Sequence, residues 1–158
     1  MSGLLGFVLL DFPKGSFEMP EFAALVSVFS LAMLLGGMVF FPSVVAPTVF
    51  RSLDTDRAGK FLRDLFPAYY AFIIFLSAIA LVSLYTQLAI AIGLMLVIVS
   101  TLLVRQLLVP AINSWRDQEL AGIDGAARKF ALGHRISVVI NMAQLVFVAW
   151  ALYQLVRS

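Results

Sequence analysis

Residues 41–70 of this chain, FPSVVAPTVFRSLDTDRAGKFLRDLFPAYY, decide how it is arranged. The stretch has a long apolar segment on each side of it. It also carries four of the eleven basic residues, which are Arg51, Arg57, Lys60 and Arg63. A charged connection between two apolar segments is typical of membrane proteins, in which the Lys and Arg residues of the loops set the orientation.

The composition excludes an ordinary soluble domain. Of the 158 residues, 62% are hydrophobic and 13% are charged, whereas soluble domains are about half apolar and about a quarter charged. The length fits one domain over residues 1–158. The sequence contains no cysteine, which excludes disulfides, thiolate metal sites and thiol catalysis.

Four apolar segments are long enough to cross a bilayer core, which requires roughly 20 residues. They cover about residues 22–45, 68–85, 88–109 and 136–156. A chain that crosses lipid must satisfy its own backbone hydrogen bonds, so each segment is predicted to be a helix. The expected fold is all-α, an integral membrane four-helix bundle with short amphipathic helices on the cytoplasmic side.

The distribution of Lys and Arg predicts the orientation. Besides the four basic residues of the first connection, five lie between the end of the third span and the start of the fourth: Arg105, Arg116, Arg128, Lys129 and Arg135. Only Lys14 and Arg157 fall on the other side. The positive-inside rule therefore places both connections in the cytoplasm and both termini outside, as in a multi-pass protein of the bacterial inner (plasma) membrane. The first residues, MSGLLGFVLL, lack a basic n-region, and we expect them to lie at the interface or to pack on the bundle.

Prolines in the first connection predict where helices change. Pro42 and Pro47 should end or kink the first helix, because proline lacks an N–H and clashes with the preceding turn. Asp54 or Thr55 can then cap a short amphipathic helix at the inner interface. Pro67 suits an early position of the helix that follows.

The second connection is interpreted in the same way. Pro110 should bend or end the third span. Gly122 is expected to break the chain, and a helix is then predicted to run from Gly125 straight into the fourth span. Ala32 and Gly36, at small-xxx-small spacing in the first span, are expected to lie where helix backbones approach closely.

Four polar residues recur on one face of the fourth span and are the best candidates for a buried network. They are His134, Ser137, Asn141 and Gln144. Polar side chains at membrane depth usually face the bundle and bond across helices. The stripe is interpreted either as a structural link between helices or as part of a ligand or proton path.

His134 is the only histidine of the chain. Its position at the mouth of the fourth span suits a residue that bonds to a loop carbonyl or a lipid phosphate. It also suits an axial haem ligand, a proton relay or a metal ligand. A single histidine cannot build a histidine-rich metal site, so we predict no metal and no cofactor, with haem as the alternative.

Three more residues complete the candidate set, namely Arg105, Asn113 and Arg116. Arg105 is near the inner end of the third span, where it can snorkel to the headgroups, pair with Asp64 or Asp117, or bind an anionic group. Asn113 and Arg116 either join the polar stripe in one cluster or face a solvated interface.

Several classes of activity lack their sequence signature. No Asp or Glu lies within the core of a span, which argues against a carboxylate-driven transporter. There is no P-loop, no dinucleotide-binding glycine motif and no GxSxG elbow. The basic residues follow membrane-proximal loops, which favours anionic lipid headgroups as partners and not nucleic acid.

Parts of residues 41–70 resemble a known family. The runs FPSVVAPTVF and LFPAYY, with Leu53 and Ala58-Gly59 between them, resemble the transmembrane protein 205-like family of small four-span proteins. This resemblance implies a four-span fold and, for bacterial members, a domain of unknown function. The family is distantly similar to copper-resistance D-type proteins, and that similarity implies haem or metal binding only through His134.

The leading interpretation is a non-enzymatic binding or scaffold protein with a functional cytoplasmic face. That face would bind a partner, an anionic lipid or a small amphipathic compound. The alternatives are a haem-binding redox protein that uses His134 and a small transporter or efflux component. Homo-oligomerisation or a membrane-protein partner is compatible with each of them.

The predicted orientation is tested with a reporter fused to the C-terminus. We expect a reporter that works only in the cytoplasm to be inactive there, because an even number of spans keeps both termini outside. The same reporter inserted in the connection at residue 56 should be active. Cytoplasmic activity at the C-terminus would contradict the four-span orientation.

Overall fold

The computed structural model describes the backbone of residues 19–157 and the side chains of residues 21–157. The expectation for MSGLLGFVLL and the position of Lys14 lie outside the described residues. Within the described part, every regular element is a helix and no strand is present. The all-α prediction is confirmed.

Six α-helices and two π-helical turns form four continuous rods. The α-helices are α1 (Met19–Phe40), α2 (Ala46–Ser52), α3 (Thr55–Ser83), α4 (Leu88–Leu103), α5 (Val109–Leu120) and α6 (Ala126–Arg157). The π turn Phe41–Val45 joins α1 to α2, and the π turn Val104–Leu108 joins α4 to α5. Four rods in the described residues are long and apolar enough to cross a membrane, which makes this a multi-pass membrane protein.

The rods pack as an antiparallel bundle around an apolar core. Helix α1 contacts α3 and α6, and α4 contacts the same two helices, so the cyclic order is α1, α3, α4, α6. Leu31, Leu34, Ile73, Leu94 and Val148 are buried where the helices meet. The outward faces are equally apolar and exposed, as expected where lipid replaces water as the solvent.

The prolines change the helix type without ending the rods. Pro42 lies in the first π turn, and Pro110 is the second residue of α5, two residues after the second π turn. The N–H of Ala46 bonds to the carbonyl of Phe41, and that of Val109 bonds to the carbonyl of Val104, both five residues back. A π turn accommodates proline, which has a bulky ring and lacks an N–H. The backbone therefore stays hydrogen-bonded where the helix type changes.

The predicted helix boundary at Pro67 is wrong. Helix α3 runs unbroken from Thr55 to Ser83, with Pro67 in its interior and exposed on its surface. Ala58 and Leu62 are buried on the part of α3 before the proline. Their packing opposes the cost of an internal proline, about 3 kcal/mol. The predicted cap is confirmed, because the Asp54 carboxylate accepts a hydrogen bond from the Arg57 N–H at 2.9 Å.

The turn between α5 and α6 agrees closely with the prediction from the sequence. Gly122 and Gly125 have φ angles of 75° and 77°, in the left-handed region that favours glycine. Gly122 therefore breaks the chain as predicted. Helix α6 begins at Ala126, one residue after the predicted start.

The close approach in α1 involves a different glycine from the predicted one. Ala32 and Gly36 are exposed, and a methyl group added at Gly36 would meet nothing within 4 Å. The neighbouring Gly37 faces α3, where an added methyl group would overlap the ring of Phe72. The prediction for Gly36 is wrong because the small residues on the two faces of an apolar helix cannot be told apart from spacing.

Replacing Gly37 by Ala should destabilise the bundle, while the adjacent Gly36→Ala should not. At Gly37 the new methyl group displaces the Phe72 ring, and overpacking of this kind costs about 1–3 kcal/mol. At Gly36 the methyl group faces open space and gains helix propensity. Thermal unfolding in detergent measures both variants. Equal transition temperatures would contradict the α1–α3 packing described above.

Candidate functional site

The polar stripe of α6 faces the inside of one end of the bundle. The spacing of its four residues places them on one side of the helix, about two and a half turns long. This is the end at which both π turns lie and from which α2 and α5 extend. The four side chains differ strongly in what they contact.

Gln144 is the deepest member of the stripe and links α6 to α4. It is 7% exposed. Its side-chain Nε2 lies 2.8 Å from Ser100 Oγ, 3.1 Å from Thr101 Oγ1 and 3.5 Å from the Val97 carbonyl oxygen. Ser100 and Thr101 donate their own hydroxyl protons to carbonyls of α4. The two hydroxyl oxygens in turn accept hydrogen bonds from the Gln144 amide nitrogen.

Asn141 links α6 to α3. Its Nδ2 donates to the hydroxyl oxygen of Tyr69 at 3.2 Å. Tyr69 belongs to the LFPAYY run, and its position on α3 places the phenol opposite the stripe. Two members of the stripe thus bond across helices, as the sequence predicts for a buried polar network.

Ser137 and His134 do not join that network. Ser137 Oγ donates to the carbonyl of His134 at 2.7 Å, within the same helix. The His134 side chain is exposed, and its ring stacks at 6.2 Å on the ring of Phe130. Its imidazole nitrogens make no hydrogen bond with any residue of the described chain. His134 therefore lies at the rim of the site and not at its centre.

A cavity of about 330 Å³ lies between the four rods at this level. All four stripe residues line it, together with Asn113 of α5. The α1 and α2 side is formed by Phe41, Pro42, Ala46 and Phe50, and the α3 side by Phe66, Tyr69 and Tyr70. The α4 and α5 side is formed by Thr101, Val104, Val109 and Ile112. Its walls are mainly apolar, and its polar groups come from the α6 stripe, Asn113, Thr101 and the hydroxyls of Tyr69 and Tyr70.

Aromatic rings form a continuous wall opposite α6. Phe41 stacks on Tyr69 with ring centroids 4.3 Å apart, and Phe66 stacks on Tyr70 at 5.9 Å. Phe41 and Phe66 lie 5.5 Å apart and join the two pairs. The contact of Phe41 with the rings of α3 was not evident from the sequence, because it depends on how the helices are rotated about their axes.

The cavity opens beside exposed apolar side chains. Phe50 is 56% exposed and Met142 is 40% exposed, yet both line the cavity. Phe50 belongs to α2, which packs against α3, while Met142 belongs to α6. The opening between α2 and α6 is thus bordered by apolar groups, which suits access for a lipid-soluble molecule.

The remaining candidate residues lie away from the cavity. Arg116 pairs with Glu119 at 2.7 Å and lies over the ring of Phe130, 5.4 Å from its centroid. Arg105 is half-buried in the second π turn and forms no ion pair within residues 21–157. The alternative in which Arg105 pairs with Asp117 is wrong.

Asp117 pairs instead with Arg63, a residue that the sequence analysis did not single out. The Nη2 of Arg63 lies 2.7 Å from Asp117 Oδ1 and 3.4 Å from the Asn113 carbonyl oxygen. The bridge connects α3 to α5 beside the cavity. The sequence carries no signal for this ion pair, because 54 residues separate the partners and several acidic residues were equally available to Arg63.

The described residues contain no cluster of three or more His, Asp or Glu side chains that could hold a metal ion. A haem site would need His134 as its axial ligand. His134 is exposed at the rim, and the cavity beyond it offers no other imidazole, since the chain has one histidine. The donor set therefore does not fit a haem held on both faces by histidine.

The fold and the cavity define a small multi-pass helical membrane protein with an apolar, amide-bearing cavity at one end of its bundle. Residues 29–121 match DUF4149, a domain of unknown function. The match covers more than half of the chain, and the protein belongs to this family. The finer resemblance to transmembrane protein 205 and copper-resistance D-type proteins stays a prediction. Comparison with curated proteins and with solved structures gives no significant match.

Replacing Gln144 by Leu should lower the stability by about 1 kcal/mol, since interhelical hydrogen bonds in membranes average about 0.6 kcal/mol with a maximum near 1.7. The exposed Gln154 on the same helix is the matched control, and Gln154→Leu should leave the stability unchanged. Unfolding in detergent measures both. A double-mutant cycle with Thr101→Val should show coupling. Additive effects would contradict the α4–α6 link.

Proposed function

We propose that this protein is a non-enzymatic membrane protein that binds a small, uncharged amphipathic molecule in the cavity between its four rods. The observation that supports this proposal is the cavity itself, with mainly apolar walls and a few polar groups, several of them on α6. Ligand sites have this character: cavities of about 300–1,000 Å³, mostly apolar, with a small number of placed polar groups.

The charges around the cavity support an uncharged ligand. No Asp, Glu, Lys or Arg of the described residues lines it. An ion placed there would lose its hydration without a partner of opposite charge, which is costly at membrane depth. Hydroxyl and amide groups provide the polar contacts instead, and these suit a neutral molecule.

The arrangement favours binding over catalysis. Among the described residues that line the cavity, there is no acid–base pair and no nucleophile with a base within hydrogen-bond distance. Two of its polar side chains hold helices together through their nitrogens: Gln144 to α4 and Asn141 to α3. Such a wall is rigid and preformed, which lowers the cost of binding. The opening beside Phe50 and Met142 supports entry from the bilayer.

The basic end of the bundle supports a second contact, with anionic headgroups. Lys60, Arg128, Lys129 and Arg135 are exposed and form no ion pair within residues 21–157. Basic residues at a membrane surface attract anionic lipids by about 1 kcal/mol each. Under the predicted orientation this end lies at the cytoplasmic leaflet, and the headgroups would surround the cavity opening.

Binding is tested with 1-aminoanthracene, a neutral fluorescent probe, and the purified protein in detergent. We expect saturable enhancement of probe fluorescence, which Ala46→Phe should abolish because the new ring fills the cavity. Ala32→Phe is the matched control, since Ala32 is exposed on the same rod. Circular dichroism establishes that both variants are folded.

Probe binding that is unsaturable, or that is equal in Ala46→Phe and in Ala32→Phe, would overturn the proposed function. Ala46→Val adds less volume and should weaken binding without abolishing it. This intermediate variant keeps the test decisive if the phenylalanine variant does not fold.

A further inference from the structure

We infer that the molecule held in the cavity is a flat aromatic compound with a hydroxyl group, whose ring lies against the aromatic wall and whose hydroxyl faces α6. This inference rests on the proposed function and adds the chemical class of the ligand. It follows from the hydrogen-bonding groups that the bundle leaves unused and from the shape of the opposite wall.

On the two amides of α6, the unused groups are acceptors. The amide nitrogen of Gln144 has three oxygens within reach, so both of its hydrogens are engaged. The amide nitrogen of Asn141 donates to Tyr69. The amide oxygens of Asn141 and Gln144 accept no hydrogen bond from residues 21–157. Both residues line the cavity, so these oxygens are two acceptors on α6 that a ligand can use.

A phenol donor lies beside the amide of Asn141. The Tyr69 hydroxyl accepts from Asn141 and donates its own proton to no described residue. A ligand hydroxyl both donates and accepts, and can therefore bond to an amide oxygen and to the Tyr69 O–H together. A ketone or an ether can only accept hydrogen bonds, and would leave the amide oxygens unpaired at a cost of about 1–3 kcal/mol each.

The opposite wall favours a ring. Phe41, Phe66, Tyr69 and Tyr70 present stacked and tilted faces in one connected group. Aromatic pairs in offset or tilted arrangements contribute about 0.5–1.5 kcal/mol beyond the area that they bury. An aliphatic chain would fill the same space without this contribution.

The volume limits the number of rings. An apolar cavity of about 150 Å³ accommodates benzene. The cavity here is about 330 Å³, which leaves room for two or three fused rings and a small substituent. A molecule of the size of a naphthol fits within this volume.

The test compares 1-naphthol with 1-methylnaphthalene, in which a methyl group replaces the hydroxyl. Each compound displaces bound 1-aminoanthracene from the wild-type protein and from Asn141→Leu in the same detergent. Partition of the two compounds into micelles is the same for both proteins. The difference between the proteins in their preference for 1-naphthol over 1-methylnaphthalene therefore measures the contact with Asn141. We expect the preference for 1-naphthol to fall about tenfold in Asn141→Leu, which is the effect of one hydrogen bond of about 1.4 kcal/mol.

Gln154→Leu provides the control, and there the preference should equal that of the wild type. Tyr69→Phe is the second variant and should also reduce the preference, because it removes the donor. An unchanged preference in both Asn141→Leu and Tyr69→Phe, with the probe still bound, would overturn the ligand class and leave the proposed function standing. Absence of saturable probe binding in the wild type would overturn both.

Discussion

Every backbone N–H and C=O inside a bilayer needs a partner within the protein, and proline removes one donor. Pro42 and Pro110 fall where two rods have to remain helical. The chain meets this constraint by switching to bonds five residues long, from Ala46 to Phe41 and from Val109 to Val104. The rods continue as α2 and α5, and both π turns border the same cavity. The architecture of this end of the bundle depends on that local solution.

Two kinds of contact then shape the cavity. Amides on α6 hold α3 and α4 through hydrogen bonds, and aromatic rings hold α1 against α3. A polar link of this kind is strong only if its groups are paired, since an unpaired polar atom in an apolar interior is costly. Asn141 and Gln144 are each paired through nitrogen and left open through oxygen. The groups that stabilise the bundle are therefore the same groups that face the cavity.

Local features were largely predictable, and the errors have identifiable causes. The Asp54 cap and the turn at Gly122 depend on neighbouring residues only, and both occur as expected. The end predicted at Pro67 fails because packing of the preceding turns outweighs a local preference. The prediction for Gly36 fails because lipid and protein interior are both apolar, so spacing does not reveal which face packs.

The sequence by itself determined that the chain crosses a membrane as four helices, because its apolar segments are long enough and lipid allows few other backbone structures. It also identified the stripe that contains Asn141 and Gln144. Only the tertiary structure decided which partners the stripe meets, such as Tyr69, which is 72 residues from Asn141. The physical reason is rotation about the helix axis. Helices that are apolar on all sides carry no amphipathic signal for it, so packing alone brings these groups together.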